Sequence, residues 1–122
     1  MNKSIFSGRL TANPEIKYSQ GVEPIAILNF ALAVERKYKK EEEPNVDFVN
    51  FVAFGKIAEF ISKYCTKGKK IGIIGYLKNK TWKDENNKTK TFTEFIVEEV
   101  ELLDKKENTE NESKGITDEE TI

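Results

Sequence analysis

The chain has 122 residues, which is enough for one ordinary domain, with 38% hydrophobic and 34% charged residues and a formal net charge of -1. One cysteine excludes an intrachain disulfide, and the lack of histidine removes both the usual zinc ligands and the usual general base. Neither a signal segment nor an apolar run of about 18 residues is present, so we expect a cytoplasmic protein without a membrane anchor. We also expect that the protein needs no metal and no cofactor.

Alternation of apolar and polar residues predicts the first strands. An apolar segment begins at Ile5 and ends in the turn-prone residues 11–14, and a shorter strand is predicted over residues 15–18. The strongest run covers residues 24–34, where apolar side chains occupy both faces. This pattern is typical of a strand covered by the core on one side and by a ligand or partner on the other. Residues 35–45 are then predicted to form a charged hairpin loop.

The next strand is predicted over residues 46–54, and after it the hydrophobic period changes. Apolar residues from Ile57 to Cys65 follow the i, i+3, i+4, i+7, i+8 spacing of one helical stripe. Gly68 is predicted to be the left-handed residue that ends this helix. This is the one convincing helix that the sequence predicts, and it is short.

Two more strands are predicted after the helix. They cover residues 71–82 and 92–103, and the alternation in the second slips near Glu98 and Glu99, as a β-bulge would make it. If the first strand is counted as one interrupted strand, the order is three strands, a helix and two strands. The sequence therefore predicts an all-β fold, a five-stranded OB-fold barrel with one short helix between strands 3 and 4.

The charges divide the chain into a basic body and an acidic tail. Residues 1–103 carry 17 basic and 14 acidic side chains, whereas residues 104–122 carry three basic and seven acidic ones. The tail has no hydrophobic period and too little apolar surface to offset the entropy of ordering, so it is predicted to be disordered. A basic body with an acidic tail is also a recognised indication of nucleic-acid binding.

Rings and cations alternate in the predicted loop and in the strand after the helix. Tyr38 stands among four basic residues, and Trp82 stands among three lysines. Because a ring in a basic loop is poorly explained as core, these rings indicate stacking on unpaired bases, with cations along the phosphates. The candidates taken from this pattern are Tyr38, Phe48, Phe54 and Trp82 for stacking, and Arg36, Lys37, Lys78 and Lys80 for phosphate contacts.

The sequence gives little reason to expect catalysis. Glu98, Glu99 and Glu101 stand close together and could bind a metal, but no aspartate-rich constellation or general base accompanies them. A Gly-rich phosphate loop and a nucleophile–base pair are also missing. We therefore expect a protein that is not an enzyme.

Four blocks of sequence, in this order and spacing, resemble the single-stranded DNA-binding proteins of bacteria and phages. The blocks are GRLTANPEIKY from Gly8, NFALAVERKYK from Asn29, DFVNFVAFGKIAEFISKYCTKGKKIGIIGYL from Asp47 and TFTEFIVEEVELL from Thr91. The resemblance runs over roughly residues 1–103. It implies a homotetramer, associated with the nucleoid, that binds single-stranded DNA without sequence preference in replication, recombination and repair.

The resemblance also assigns roles to individual positions. The four stacking rings of the family correspond to the four rings named above, although Tyr38 and Phe48 stand where the family has tryptophan. Both replacements keep a π face, so binding should survive. The positions at which relatives present cations to the DNA backbone are Arg9, Lys56, Lys78 and Lys80.

The end of the tail departs from the family pattern. Relatives end in several acids followed by an apolar residue, proline and phenylalanine, and this tip docks replication and repair proteins. The acids Asp118, Glu119 and Glu120 and the terminal apolar Ile122 remain here, but the Pro-Phe pair is absent. We therefore expect partner docking through the tail to be weakened or altered.

Three other readings of the sequence stay open. The domain could be a protein-interaction OB subunit of a replication-restart complex, in which the rings contact a protein. It could instead be an RNA-binding OB domain, because no residue distinguishes ribose from deoxyribose. A nuclease on the same scaffold is the third alternative.

Overall fold

A computed structural model describes residues 1–104 and 116–117. The elements are β1 Ser4–Leu10, β2 Ile16–Tyr18, β3 Ala26–Glu35, β4 Val46–Phe54, α1 Gly55–Tyr64, β5 Lys70–Lys83, β6 Thr89–Leu102 and β7 Ile116–Thr117. The mostly β character and the single short helix are confirmed for the described residues. Seven strands are described instead of the predicted five, because Ile16–Tyr18 forms its own strand against β3 and Ile116–Thr117 pairs with β6. The helix therefore lies between β4 and β5.

The strands pair in the order β1-β5-β6-β4-β3-β2. These pairings are antiparallel except for the link between β4 and β6, which is parallel and joins Phe51 to Phe95 and Val52 to Ile96. A further pairing, at Arg9 with Ala33, connects β1 at one end of this series to β3, the strand next to the other end. The pairings of β1, β5, β6, β4 and β3 therefore form a closed cycle, to which β2 is attached through β3.

The core is formed by apolar side chains of these strands, and α1 packs against it. Period-two alternation sends Leu28, Leu32 and Phe51 inward, and each is at most 1% exposed. The helix covers the same core with its buried residues Ile57 and Ile61, as its apolar stripe predicts. Phe51 also forms ring contacts to three neighbours, Phe6 at 5.6 Å, Phe30 at 5.3 Å and Phe95 at 5.9 Å between centroids.

Two close backbone approaches require glycine. The β5–β6 register shifts between Ile74 and Gly75, so that Glu98 is an extra residue in β6, and this confirms the predicted bulge. A side chain on Gly75 would collide with the carbonyl oxygen of Ile96. At the contact of β1 with β3, a Cβ on Gly8 would lie 2.6 Å from the carbonyl oxygen of Ala33. Glycine thus permits both the bulge and the pairing that completes the cycle.

The prediction that Gly68 ends the helix is wrong. The helix ends at Tyr64, and Cys65 follows in an extended conformation, with its N–H donated to the Ile61 carbonyl at 3.0 Å. Gly68 does have a positive φ of 87°, but it lies in the next turn and donates its N–H to the Leu10 carbonyl at 2.8 Å. Its left-handed conformation therefore returns the chain to the sheet.

Within the predicted disordered tail, the structure describes Asp104 and Ile116–Thr117. Those last two residues pair with Val100 and Glu99 of β6. No strand was predicted at these two residues. The other tail residues, which include Asp118, Glu119, Glu120 and Ile122, lie outside the described residues, so their predicted disorder stays a prediction. No helix in the described part of the chain is long and apolar enough to cross a membrane.

Candidate nucleic-acid interface

The sheet formed by β3, β4, β6 and β5 has a face that points away from the core. Side chains paired across neighbouring strands lie on the same face, as do residues two apart along a strand. Val52 pairs with Ile96, and Ile96 pairs with Tyr76. We call the face that these three residues share the outer face. By this alternation, its large rings include Phe48, Phe54, Trp82 and Phe92.

The predicted stacking rings are accessible in the structure. On the outer face, Phe48 is 69% exposed, Phe54 45% and Trp82 49%, while Tyr38 in the β3–β4 loop is 83% exposed. Phe48 and Phe54 stand about 20 Å apart along β4, given the rise of a strand. Three of the four predicted rings thus share one face of the sheet, and all four are outside the core.

Phe92 adds a ring that the sequence alone did not single out. It pairs with Lys80 and is 41% exposed. Near it, where β4 and β6 part, a groove of about 270 Å³ opens beside Asn50 and Glu94. In the sequence Phe92 is one apolar residue of an alternating strand, and only the register shows that it faces Lys80 rather than the core.

The predicted cations on and near the outer face differ in their contacts. Lys80 places its Nζ 3.0 Å from the Oε1 of Glu94, whose side chain is 4% exposed. Lys78 pairs across the hairpin with Glu94, and Lys56 lies in the first turn of α1, two residues after Phe54. Lys78 and Lys56 are both exposed, and neither forms an ion pair within residues 1–104. The ammonium groups of Lys78 and Lys56 are therefore more available to a ligand than that of Lys80.

A basic groove lies where β1 and β3 part. Its volume is about 460 Å³, and Arg9, Arg36, Lys37 and Lys70 line it. Arg9 donates to the Gly68 carbonyl at 2.9 Å and lies 3.5 Å from an Asp104 carboxylate oxygen, yet its side chain stays 57% exposed. The groove brings together three of the predicted cations and adds Lys70, which the sequence gave no reason to choose.

Arg36 lies at the base of the loop that carries Tyr38, and its side chain faces acids. Its Nε and Nη2 donate to Asp47 at 2.9 and 2.8 Å, and its Nη1 donates to Glu43 at 2.9 Å. The hydrogen bond from Arg36 lowers the pKa of Asp47, and the bond to Asp47 raises the pKa of Arg36. Both groups therefore stay charged near neutral pH. The hydrogen bonds to these acids do not test the predicted phosphate contact of Arg36, which stays a prediction.

The described residues do not bring together three or more histidine, cysteine, aspartate or glutamate side chains in a way that could hold a metal ion. What the structure does gather is a row of exposed rings with ammonium groups beside them. Fold and site together define the class: a small, mostly β protein with a basic, aromatic face of the kind that holds nucleic acid.

Comparison with known proteins specifies the family. The model of the single-strand binding protein family matches residues 1–103. Single-stranded DNA-binding protein 2 of Clostridium acetobutylicum is 39% identical, over 100% of this chain and 92% of that protein. The single-stranded DNA-binding protein of Clostridium tetani is 36% identical over 85% of this chain and 67% of its own length. Single-stranded DNA-binding protein 1 of Streptococcus pyogenes is 32% identical over 93% and 86%. The chain belongs to the single-strand binding protein family, which confirms the resemblance.

Proposed function

We propose that this chain binds single-stranded DNA without sequence preference and without catalysis. The observation that carries the proposal is the placement of exposed Phe48, Phe54 and Trp82 on one face, beside lysines. The names of the relatives, all single-stranded DNA-binding proteins, support it. We further propose that the closed cycle of strands is the five-stranded OB-type barrel, with residues 1–103 as the binding domain.

Binding follows from two interactions that act on any base. Each base has a π face, so stacking on rings does not depend on sequence, and ammonium groups neutralise the phosphates between stacked bases. Phe92 extends the stacking row, and Lys70 extends the basic groove. In this proposal Tyr38, Phe48, Phe54, Trp82 and Phe92 stack, and Arg9, Lys37, Lys56, Lys70, Lys78 and Lys80 contact phosphates.

Titration with oligo-dT of several lengths at two salt concentrations tests the function. Trp82 is the only tryptophan, so quenching of its fluorescence reports directly on the outer face. With about four to six phosphates neutralised, the log–log salt slope is expected to be about -3 to -4, at roughly -0.7 per contact. Negligible affinity at moderate salt would instead favour a protein-interaction subunit, and tighter binding of oligo-rU would favour an RNA-binding domain. Cleavage of labelled strand with added metal would indicate a nuclease.

We also propose that the protein is a homotetramer. An apolar groove of about 560 Å³ on β1, β5 and β6 includes Ile5, Ile74 and Leu103, and Ile5 is 75% exposed. Beside it, the part of β1 before Arg9 pairs with β5 but not with β3 in the described structure. An exposed apolar surface next to an unpaired strand edge is typical of a protein–protein contact.

We also propose that the protein acts in replication, recombination and repair and is associated with the nucleoid in the cytoplasm. Partner proteins would dock on the tail residues Asp118, Glu119, Glu120 and Ile122. One pair of samples tests assembly and docking separately, the full chain and a chain that ends at Asp104. Sedimentation equilibrium should give four times the 14.0 kDa chain mass for the full chain, and a tetramer for the shorter chain as well. Pull-down of replication and repair proteins should be weak with the full chain, because the Pro-Phe pair is absent, and should be lost without the tail. A monomeric full chain, or equal capture by both samples, would contradict these assignments.

A further inference from the structure

The β3–β4 loop is closed at its base by Arg36. The backbone N–H of Arg36 donates to the Asn45 carbonyl at 2.9 Å, which joins the two ends of the loop. Its guanidinium donates twice to Asp47, at the start of β4, and once to Glu43, inside the loop. One residue therefore ties the end of β3 to the start of β4 and to the middle of the loop.

In this geometry Arg36 holds the loop in place and does not present its guanidinium to a phosphate. A bidentate arginine–carboxylate pair fixes the orientation of both groups. Three nitrogens of Arg36 already donate to carboxylate oxygens, and its side chain is 27% exposed. Two carboxylates also outweigh one guanidinium, so the group as a whole repels phosphate instead of attracting it.

We infer that Arg36, Asp47 and Glu43 form a latch that holds the β3–β4 loop in the conformation that presents Tyr38 to DNA. Arg36 is then a positioning residue, and this inference rests on the proposed function. Tyr38 lies two residues after Arg36, is 83% exposed and has the Lys37 ammonium 5.6 Å from its ring centroid. Ring and cation therefore lie side by side, directly after the latch residue Arg36 in the chain.

The latch lowers the entropy cost of binding. Without it, the loop would have to be ordered when DNA arrives, and ordering loops and side chains at an interface reduces affinity. Inside the loop, the N–H of Glu43 donates to the Lys40 carbonyl at 2.9 Å, which forms a turn. Glu43 thus connects this turn to Arg36, and the loop is ordered before DNA is bound.

Replacing Asp47 distinguishes the latch from a simple effect of charge, because the two predict opposite changes in the affinity for oligo-dT. Asp47→Ala removes a negative charge near the DNA, which alone would tighten binding, whereas loss of the latch should weaken oligo-dT binding about 3- to 10-fold. The salt slope should not change, since no phosphate contact is removed. Glu42→Ala is the matched control, because Glu42 lies in the same loop and forms no ion pair in the described structure. It should leave affinity unchanged or raise it slightly.

A double-mutant cycle and a measurement without DNA complete the test. Tyr38→Ala should cost less affinity in Asp47→Ala than in the wild type, since neighbours that act together are not additive. Hydrogen exchange at the Arg36 and Glu43 amides should be faster in DNA-free Asp47→Ala, with an unchanged melting temperature. Unchanged or tighter binding by Asp47→Ala, additive effects, or unchanged exchange would overturn the latch. If the wild type binds no oligo-dT, the proposed function fails, and the exchange rates still decide on the latch.

Discussion

Trp82→Ala is expected to weaken oligo-dT binding by about 5- to 150-fold, because stacking contributes roughly 1–3 kcal/mol per base. Trp82 is 49% exposed on the outer face and pairs with Lys90 across the β5–β6 hairpin, so its removal leaves the core intact. The measurement is the anisotropy of a labelled oligo-dT, since the variant loses its own fluorescence probe. The salt slope should stay the same, because no cation is removed.

Tyr18→Ala is the control for exposed rings in general. Tyr18 is 57% exposed, but it pairs with the buried Ala26 and therefore lies on the opposite side of the sheet from the outer face. Its loss should change affinity less than twofold. Equal effects of the two substitutions, or no effect of Trp82→Ala, would show that the outer face does not hold the DNA.

Gly75→Ala is expected to destabilise the fold by about 3 kcal/mol, at the upper end of the cost of overpacking. The added methyl group would collide with the carbonyl oxygen of Ile96, and a backbone oxygen cannot rotate away as a side chain can. The collision also falls at the bulge, where β5 and β6 change register. Thermal unfolding should show a midpoint roughly 10–20 °C below that of the wild type.

Gly72→Ala provides a matched control three residues earlier in β5. A Cβ there would lie 3.3 Å from a terminal methyl group of Leu103, which can move aside. We expect a loss of at most about 0.5 kcal/mol. If Gly75→Ala and Gly72→Ala unfold at the same temperature, the close approach at the bulge does not limit the choice of residue at Gly75.

Local patterns in the sequence predicted those features that depend on neighbours along the chain. Alternation located the main strands, and its slip located the bulge at Glu98, since both follow from the period of the pleat. The same reasoning failed at Gly68, because a left-handed glycine serves a helix end and a turn equally well. The choice between them depends on the contact with Leu10, which is far away in sequence.

The candidate site was predictable in kind but not in its contacts. Tyr38 and Trp82 have basic neighbours in the chain, so their exposure could be predicted from the local sequence. The placement of Phe92 depends on the β5–β6 register. The partners of Arg36 and Lys80 depend on which acids the strands bring near, namely Asp47 and Glu94. A list of basic residues therefore overstates the charge available to DNA.

The β5–β6 hairpin is tied to β4 by two residue pairs, at Phe51 and Val52, and the part that carries Trp82 extends beyond them. That part has no other strand partner in the described structure. Flexing at this anchor would change the spacing between Trp82 and Phe54 without opening the core. In the proposed binding mode, such a change of spacing would let the two rings follow a polymer whose successive bases keep no fixed separation.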